Sequence, residues 1–374
     1  MEIDRRTFLA LMGAAIAPST AFGGPLPPQS GGGTMLDEPL FLGARVAGKA
    51  YEVAVIDERG RDRLVLPVEA RGHSFAIDAP RRLAVAFARS PGRHAVAFDV
   101  DGKGEPTAIV TAPGRHFFGH GIFTPDGRLM LASESDYEAG EGVTGVYDAT
   151  GGFRRIGEFR TAGIGPHEIV LMPDGRTVCV ANGGILTHPD YERLKLNLDT
   201  MKPNLTYLDA LTGETVEQVT LAPELHKLSI RHLTIDAAGA VWFGCQYEGD
   251  PADRPALVGR HVRGREPELF PGPAETLRAL DNYIGSMAID TSGTIVATSS
   301  PRGGLIVFWD TATGRCLGQQ QIADGCGVAP LQQGHVLATS GRGAIDDMTA
   351  AASLQIVAPG GGVPGWDNHL RRIG

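Results

Sequence analysis

Histidine is the residue type here with the most chemistry to offer, and its placement along the chain is regular. Five of the eleven histidines open short alternating segments: His73-Ser-Phe-Ala-Ile-Asp78, His120-Gly-Ile-Phe-Thr124, His167-Glu-Ile-Val-Leu171, His232-Leu-Thr-Ile-Asp236 and His369-Leu-Arg-Arg-Ile373. Neutral imidazole is the commonest metal ligand and suits zinc, copper, iron and nickel, so a shared centre for these side chains would be a metal site. Glu168 and Asp367, next to or near two of these histidines, can add oxygen ligands. An equally serious reading has each histidine pinning its segment through hydrogen bonds, because a buried polar group must find a partner either way. Counting back from the following turn glycine puts Glu168, not His167, in line with the other histidines, so which of the two faces the centre stays open. His94, His116, His188, His226, His261 and His335 are expected in loops or outer hairpins, solvated.

Two further segments, Ser286-Met-Ala-Ile-Asp290 and Gly327-Val-Ala-Pro-Leu331, share the pattern without histidine, and successive starts lie 47, 47, 65, 54, 41 and 42 residues apart. That spacing brackets the roughly 40 to 50 residues of a four-stranded propeller blade. A second series of strand–turn–strand units begins near Tyr51, Ala95, Gly145, Thr206, Leu257, Ile306 and Leu354, several with a turn of the type Asp148-Ala-Thr-Gly151 or Asp310-Thr-Ala-Thr-Gly314. The unit near Tyr51 lacks a segment before it, and the segment at His369 lacks a unit after it. Each completes the other, which predicts an all-β, seven-bladed propeller in which the C-terminal strand joins the N-terminal blade and leaves no open sheet edge.

In that topology the histidines and the loops between second and third strands share one face. Long connections are expected at 134–143, 183–204, 246–255 and 340–352. The longest carries His188, Asp190 and Tyr191 and is read as a lid over the histidine mouth.

Composition narrows the function. A net charge of -9 argues against a nucleic-acid partner, because such proteins need basic surface to neutralise phosphates. No C-x-x-C-H motif offers covalent haem, no phosphate loop offers a nucleotide site, and His167-Glu168 lacks the second histidine of an H-E-x-x-H site. Four cysteines are too few for a disulfide framework, and Cys316 with Cys326 is the one pair open to bridging. Residues 1–23 read as a twin-arginine export signal, with Arg5-Arg6-Thr7-Phe8-Leu9 ahead of an apolar stretch and small residues suited to cleavage. Residues 24–35 read as a linker and 36–374 as the propeller. The expectation is a periplasmic monomer with no membrane span in the mature chain.

The twin-arginine start, Gly119-His-Gly121 with Phe123-Thr-Pro-Asp-Gly127, Gly165-Pro-His-Glu168, Arg231-His-Leu233 and Trp366-Asp-Asn-His-Leu370 together resemble a family of exported bacterial propellers known only as a domain of unknown function. The resemblance spans essentially the whole mature chain. Members occur beside imelysin-type iron-regulated lipoproteins and di-haem peroxidase-like proteins, which implies a periplasmic accessory of iron acquisition with periplasmic iron-uptake proteins as partners. It implies no catalytic residues. Broader seven-bladed relatives include lactonases and quinoprotein-like subunits, and the copper propeller of nitrous oxide reductase offers an analogy for metal on a histidine-lined axis. The leading expectation is therefore a binding protein for iron or copper, with His73, His120, His167, Glu168, His232 and His369 as ligands. The alternatives are a propeller enzyme on the same face, lactonase-like or redox, with acidic loop residues as ligands or general base, and a scaffold for a partner protein.

Overall fold

The repeated aspartate turns show how the sequence sets its hairpins. Asp148 Oδ1 accepts from the N–H groups of Thr150 and Gly151, each at 3.0 Å. Asp209 Oδ1 does the same for Leu211 and Thr212, each at 2.9 Å, and Asp310 Oδ1 for Thr313 at 2.8 Å. Each carboxylate stands in for a backbone acceptor and closes the turn locally, which is why the motif recurs between the outer strands of successive blades.

The hairpins assemble into seven four-stranded antiparallel sheets in a computed structural model that describes residues 38–191 and 194–374. The fold is an all-β, seven-bladed propeller. The expected export signal 1–23 and the expected linker 24–35 lie outside the described residues. We number the blades along the chain; blade 1 consists of Leu40–Ala47, Ala50–Asp57 and Asp62–Val68, with its innermost strand supplied by Gly365–Ile373. The closing register runs from Leu40 opposite Ile373 to Val46 opposite Gly365. The innermost strands of blades 2 to 7 are Gly72–Asp78, Arg115–Phe123, Pro166–Leu171, Leu228–Ile235, Ser286–Ile289 and Gly325–Gln332. No helix among the described residues is long and apolar enough to cross a membrane.

Apolar side chains fill the space between neighbouring sheets. The largest cluster joins blades 4 to 6 through Tyr207, Trp242, Phe243, Leu257, Val307 and Trp309, all fully buried. Both indoles find acceptors there: Trp242 Nε1 donates to Asp236 Oδ2 at 2.9 Å and Trp309 Nε1 to Thr298 Oγ1 at 3.0 Å. Burial of this kind stabilises each large side chain by roughly 1.5–3 kcal/mol, while the satisfied N–H avoids the cost of an orphaned donor.

Several expected loops turn out to be strand. Residues 134–143 contain the ends of Leu129–Asp136 and Glu141–Asp148, joined by the short turn 137–140. Glu134 is wholly buried, accepting from the Tyr147 hydroxyl and from Arg155 Nη2 at 2.8 Å; a run of charge marked an internal ion pair rather than an exposed loop. Residues 340–352 hold Ile345–Met348, the third strand of blade 7, so Leu354 belongs to the outermost strand. Cys316 and Cys326 do not pair: all four cysteines are free. His116 and His261 are buried rather than solvated, His116 inside the innermost strand of blade 3 and His261 in the third strand of blade 5.

Candidate metal centre

The histidines do not begin the innermost strands; they sit where those strands bulge. In blade 2 the ladder breaks between Gly72 and Phe75, where His73 and Ser74 stand against Phe87 alone. Blade 4 breaks between Pro166 and Ile169, around His167 and Glu168, and blade 5 between Ile230 and His232, around Arg231. In blade 3 the break spans Phe117 to Gly121 and contains His120; in blade 1 it falls opposite Gly43–Arg45 and contains His369. A bulge bends the strand and re-aims its side chains, so five blades turn an imidazole toward the axis by one backbone device. Ser133 Oγ steadies the blade 3 bulge by donating to the His120 carbonyl at 3.2 Å.

One glycine makes room for the result. Gly119 has φ +100°, and a Cβ there would lie 2.5 Å from the His73 ring. The sequence Gly119-His120 thus presents one imidazole while letting another approach its backbone.

The five rings form one packed cluster. Centroid separations are 4.6 Å for His73–His369 and His120–His369, 4.7 Å for His120–His167, 4.9 Å for His167–His232, and 5.1 Å for His232–His369. Two triads bring ligand atoms within 4.8 Å of one another, His73–His120–His369 and His120–His167–His232, with His120 common to both. Ligand nitrogens on one ion at about 2.0–2.1 Å are at most about 4 Å apart, a distance small side-chain rotations would reach.

All five histidines are buried. Burial foremost, then the neighbouring imidazoles and Arg371, hold His120 and His369 well below the ordinary histidine value; burial and the neighbouring imidazoles do the same for His167. His232 is also lowered by burial, although Glu168 works against the shift. These rings are neutral, the form that ligates. Glu168 Oε2 lies 3.5 Å from His232 Nδ1 and Oε1 4.0 Å from His120 Nδ1. Burial alone would raise the Glu168 carboxyl, but the Arg371 guanidinium, His232 and the Leu233 N–H at 3.1 Å outweigh it and keep the group below its usual range, ionised.

The pinning role expected of some histidines is filled elsewhere. His261 is held on both sides, by the Tyr207 hydroxyl at 2.7 Å and the Arg265 carbonyl at 2.9 Å. By contrast, His120 Nε2, His167 Nδ1, His232 Nε2 and both His369 nitrogens are buried with no hydrogen-bond partner among the described residues. Leaving such atoms unpaired costs about 1–3 kcal/mol each, so these rings are a poor way to hold blades together and a suitable set of donors for an ion. Asp367 takes no part; it pairs with Arg71 and caps the Asn368 N–H.

The cluster separates two cavities along the axis. The upper one, of about 560 Å³, is lined in part by His73, His167, His232 and Cys326. The lower, of about 350 Å³, is lined by His120, Glu168 and Arg371 among others. His167 and Glu168 therefore both face the axis, on opposite sides of the cluster. The insertion 183–203 reaches the upper cavity through Ile185, Thr187 and Lys195. His188 packs its ring on Tyr137 of blade 3 at 4.8 Å, Asp190 is exposed, and Tyr191 lies 5.5 Å from His188; none of the three lines the cavity. Sequence reasoning missed Arg231, Arg302 and Arg371. Arg231 sits beside His232 and Arg371 two residues after His369, so adjacency to the repeated histidines was the available signal.

Among solved structures, the chain is similar to Kuenenia stuttgartiensis hydrazine synthase, with 13% identity and a TM-score of 0.59 over 89% of this chain and 100% of that one. It is also similar to the β-propeller domain of Myceliophteria thermophila Cps50 (Swd1), again at 13% identity, with a TM-score of 0.55 over 79% and 92%. At that identity both likenesses concern the fold alone. No curated protein matches the sequence. A family model does match, over residues 66–373, which hold all five axial histidines: the chain belongs to the family described as protein of unknown function DUF1513.

Proposed function

We propose that this protein is a periplasmic metal-handling protein that binds iron or copper on His73, His120, His167, His232 and His369, as an accessory of iron acquisition. The observation that carries this reading is the convergence of buried imidazoles in two triads that share His120, with unpartnered nitrogens on His120, His167, His232 and His369. Neutral nitrogen donors suit either metal. The ionised Glu168 beside the cluster offsets cationic charge, though Arg371 already claims part of it. The periplasmic setting rests on the twin-arginine segment, and the link to iron on the family resemblance. Depth favours a small ligand over a scaffold, because a docking face would be flat and apolar. A hydrolase using the acidic residues of 134–141 is less well supported, since Glu134 is bound to Arg155 and Glu141 to Arg160.

The test is metal analysis of untagged protein recovered from the periplasm, followed by calorimetric titration with iron(II) and copper(II). Retained metal is expected, or binding that survives at pH 6.5 and weakens only at lower pH, where the depressed imidazoles protonate. A metal-free preparation that binds neither ion overturns the proposal.

A further inference from the structure

The upper cavity is cationic on an acidic chain. Arg71, Arg89, Lys195, Arg231 and Arg302 line it against one carboxylate, Asp324, while the whole chain carries a net charge of -9. Carboxylates behind the wall answer part of this: Asp367 pairs with Arg71 and Glu248 with Lys195. Arg231 is served less well. Its Nε donates to Ser229 Oγ at 2.9 Å, and its nearest carboxylate oxygen, on the same Glu248, is 3.9 Å away. Arg302 lies 4.5 Å over the Tyr283 ring and makes no ion pair among the described residues. The buried, unpartnered His167 Nδ1 belongs to a ring on the same wall. Guanidinium groups in a concave, partly desolvated wall bind carboxylate and phosphate oxygens through charge-assisted hydrogen bonds, and low-dielectric walls focus their field on the opening.

We propose that the upper cavity binds a small, multiply charged oxyanion, a polycarboxylate or a phosphate, with Arg231 and Arg302 as its main contacts. The site stands on the charge of the cavity wall and needs no metal beneath it. The full chain, stripped of metal with EDTA and dialysed, would be titrated calorimetrically with citrate and separately with inorganic phosphate at low ionic strength. Binding of either anion that weakens with added salt is expected; the stronger of the two identifies polycarboxylate or phosphate as the ligand. Arg302→Gln, at an exposed position, should weaken binding about fivefold and Arg231→Gln about tenfold or more. Arg154→Gln, exposed at the start of the outermost strand of blade 3 and off the cavity wall, should leave anion affinity unchanged. Because Arg231 is a bulge residue whose loss can disturb blade 5, Arg302→Gln serves as the variant whose fold is not in question. If neither anion binds the metal-free protein, or if both arginine variants bind like the parent, the proposal fails whatever the metal titrations give.

Discussion

Blades 4 and 7 make the same break in their innermost strands and use it differently. In blade 4 the residues between the flanking ladder pairs are His167 and Glu168; in blade 7 they are Cys326 and Gly327. Blade 7 cannot carry a side chain at the second position, because a Cβ on Gly327 would come within 2.6 Å of the Leu370 nitrogen of the closing strand. Blade 6 goes further and pairs Ser286–Ile289 without interruption. The bulge is thus a property of the backbone, and the imidazole is added to it in five blades out of seven. A propeller axis does not need histidine to hold its strands together, which is why clustering here points to a ligand.

The largest effect should come from removing the shared donor. Changes in groups that only orient ligands cost 10–100-fold in affinity, so His120→Ala should cost about 100-fold or more. Ser286→Ala, at the matching strand of blade 6, should change nothing. Isothermal titration reads both, and equal affinities would dissolve the contrast between the blades. Gly119→Ala comes next: a side chain at φ +100° against the His73 ring should destabilise the fold by about 2 kcal/mol in urea unfolding and weaken metal binding with it. An unchanged midpoint would mean that the ring moves aside freely.

Proton linkage gives a third comparison. The buried rings have lowered affinity for protons, whereas in the unfolded chain they titrate near 6.5. Stability is therefore fully present above pH 6.5 and falls as pH drops below it, by up to about 1.4 kcal/mol per pH unit for each histidine. His116, pushed down to about 4 chiefly by burial, adds to the same slope from outside the cluster. His232→Gln should flatten that slope by one histidine's share, and Cys326→Ala should not; urea unfolding between pH 5 and 7 distinguishes them. The smallest effect is a gain. Cys326→His puts a sixth imidazole on the blade 7 bulge facing the upper cavity, and should tighten metal binding roughly fivefold, about 1 kcal/mol. Unchanged affinity would show that this bulge points away from the centre.

The blade count and the closure were legible because each blade repeats one short alternating strand and several repeat an aspartate turn, both local features. The bulges were not. They insert one or two residues with no compositional mark, so His167 and Glu168 competed for one position when the backbone supplies two. Polarity misled in a consistent way: Glu134 and Asp346 read as loop because charge implies water, and only the partner across the sheet, Arg155 for Glu134 and Ser353 for Asp346, reveals a buried use. His261 was hidden for the same reason, since the hydroxyl that satisfies it lies on a different blade.

The strand Gly365–Ile373 is the last in chain order, and it delivers His369, the partner of Glu168 and the inner edge of blade 1 in a single segment. Assembly of the centre and sealing of the ring are consequently one event: a nascent chain that has made six blades still lacks a full donor set. An ion bound across that seam would act as a latch, adding RT ln(1 + [metal]/Kd) to the work of parting the first and last strands. Amide exchange along Leu40–Ala47, at the seam itself, should then slow more on metal addition than exchange in blade 6 on the far side of the ring.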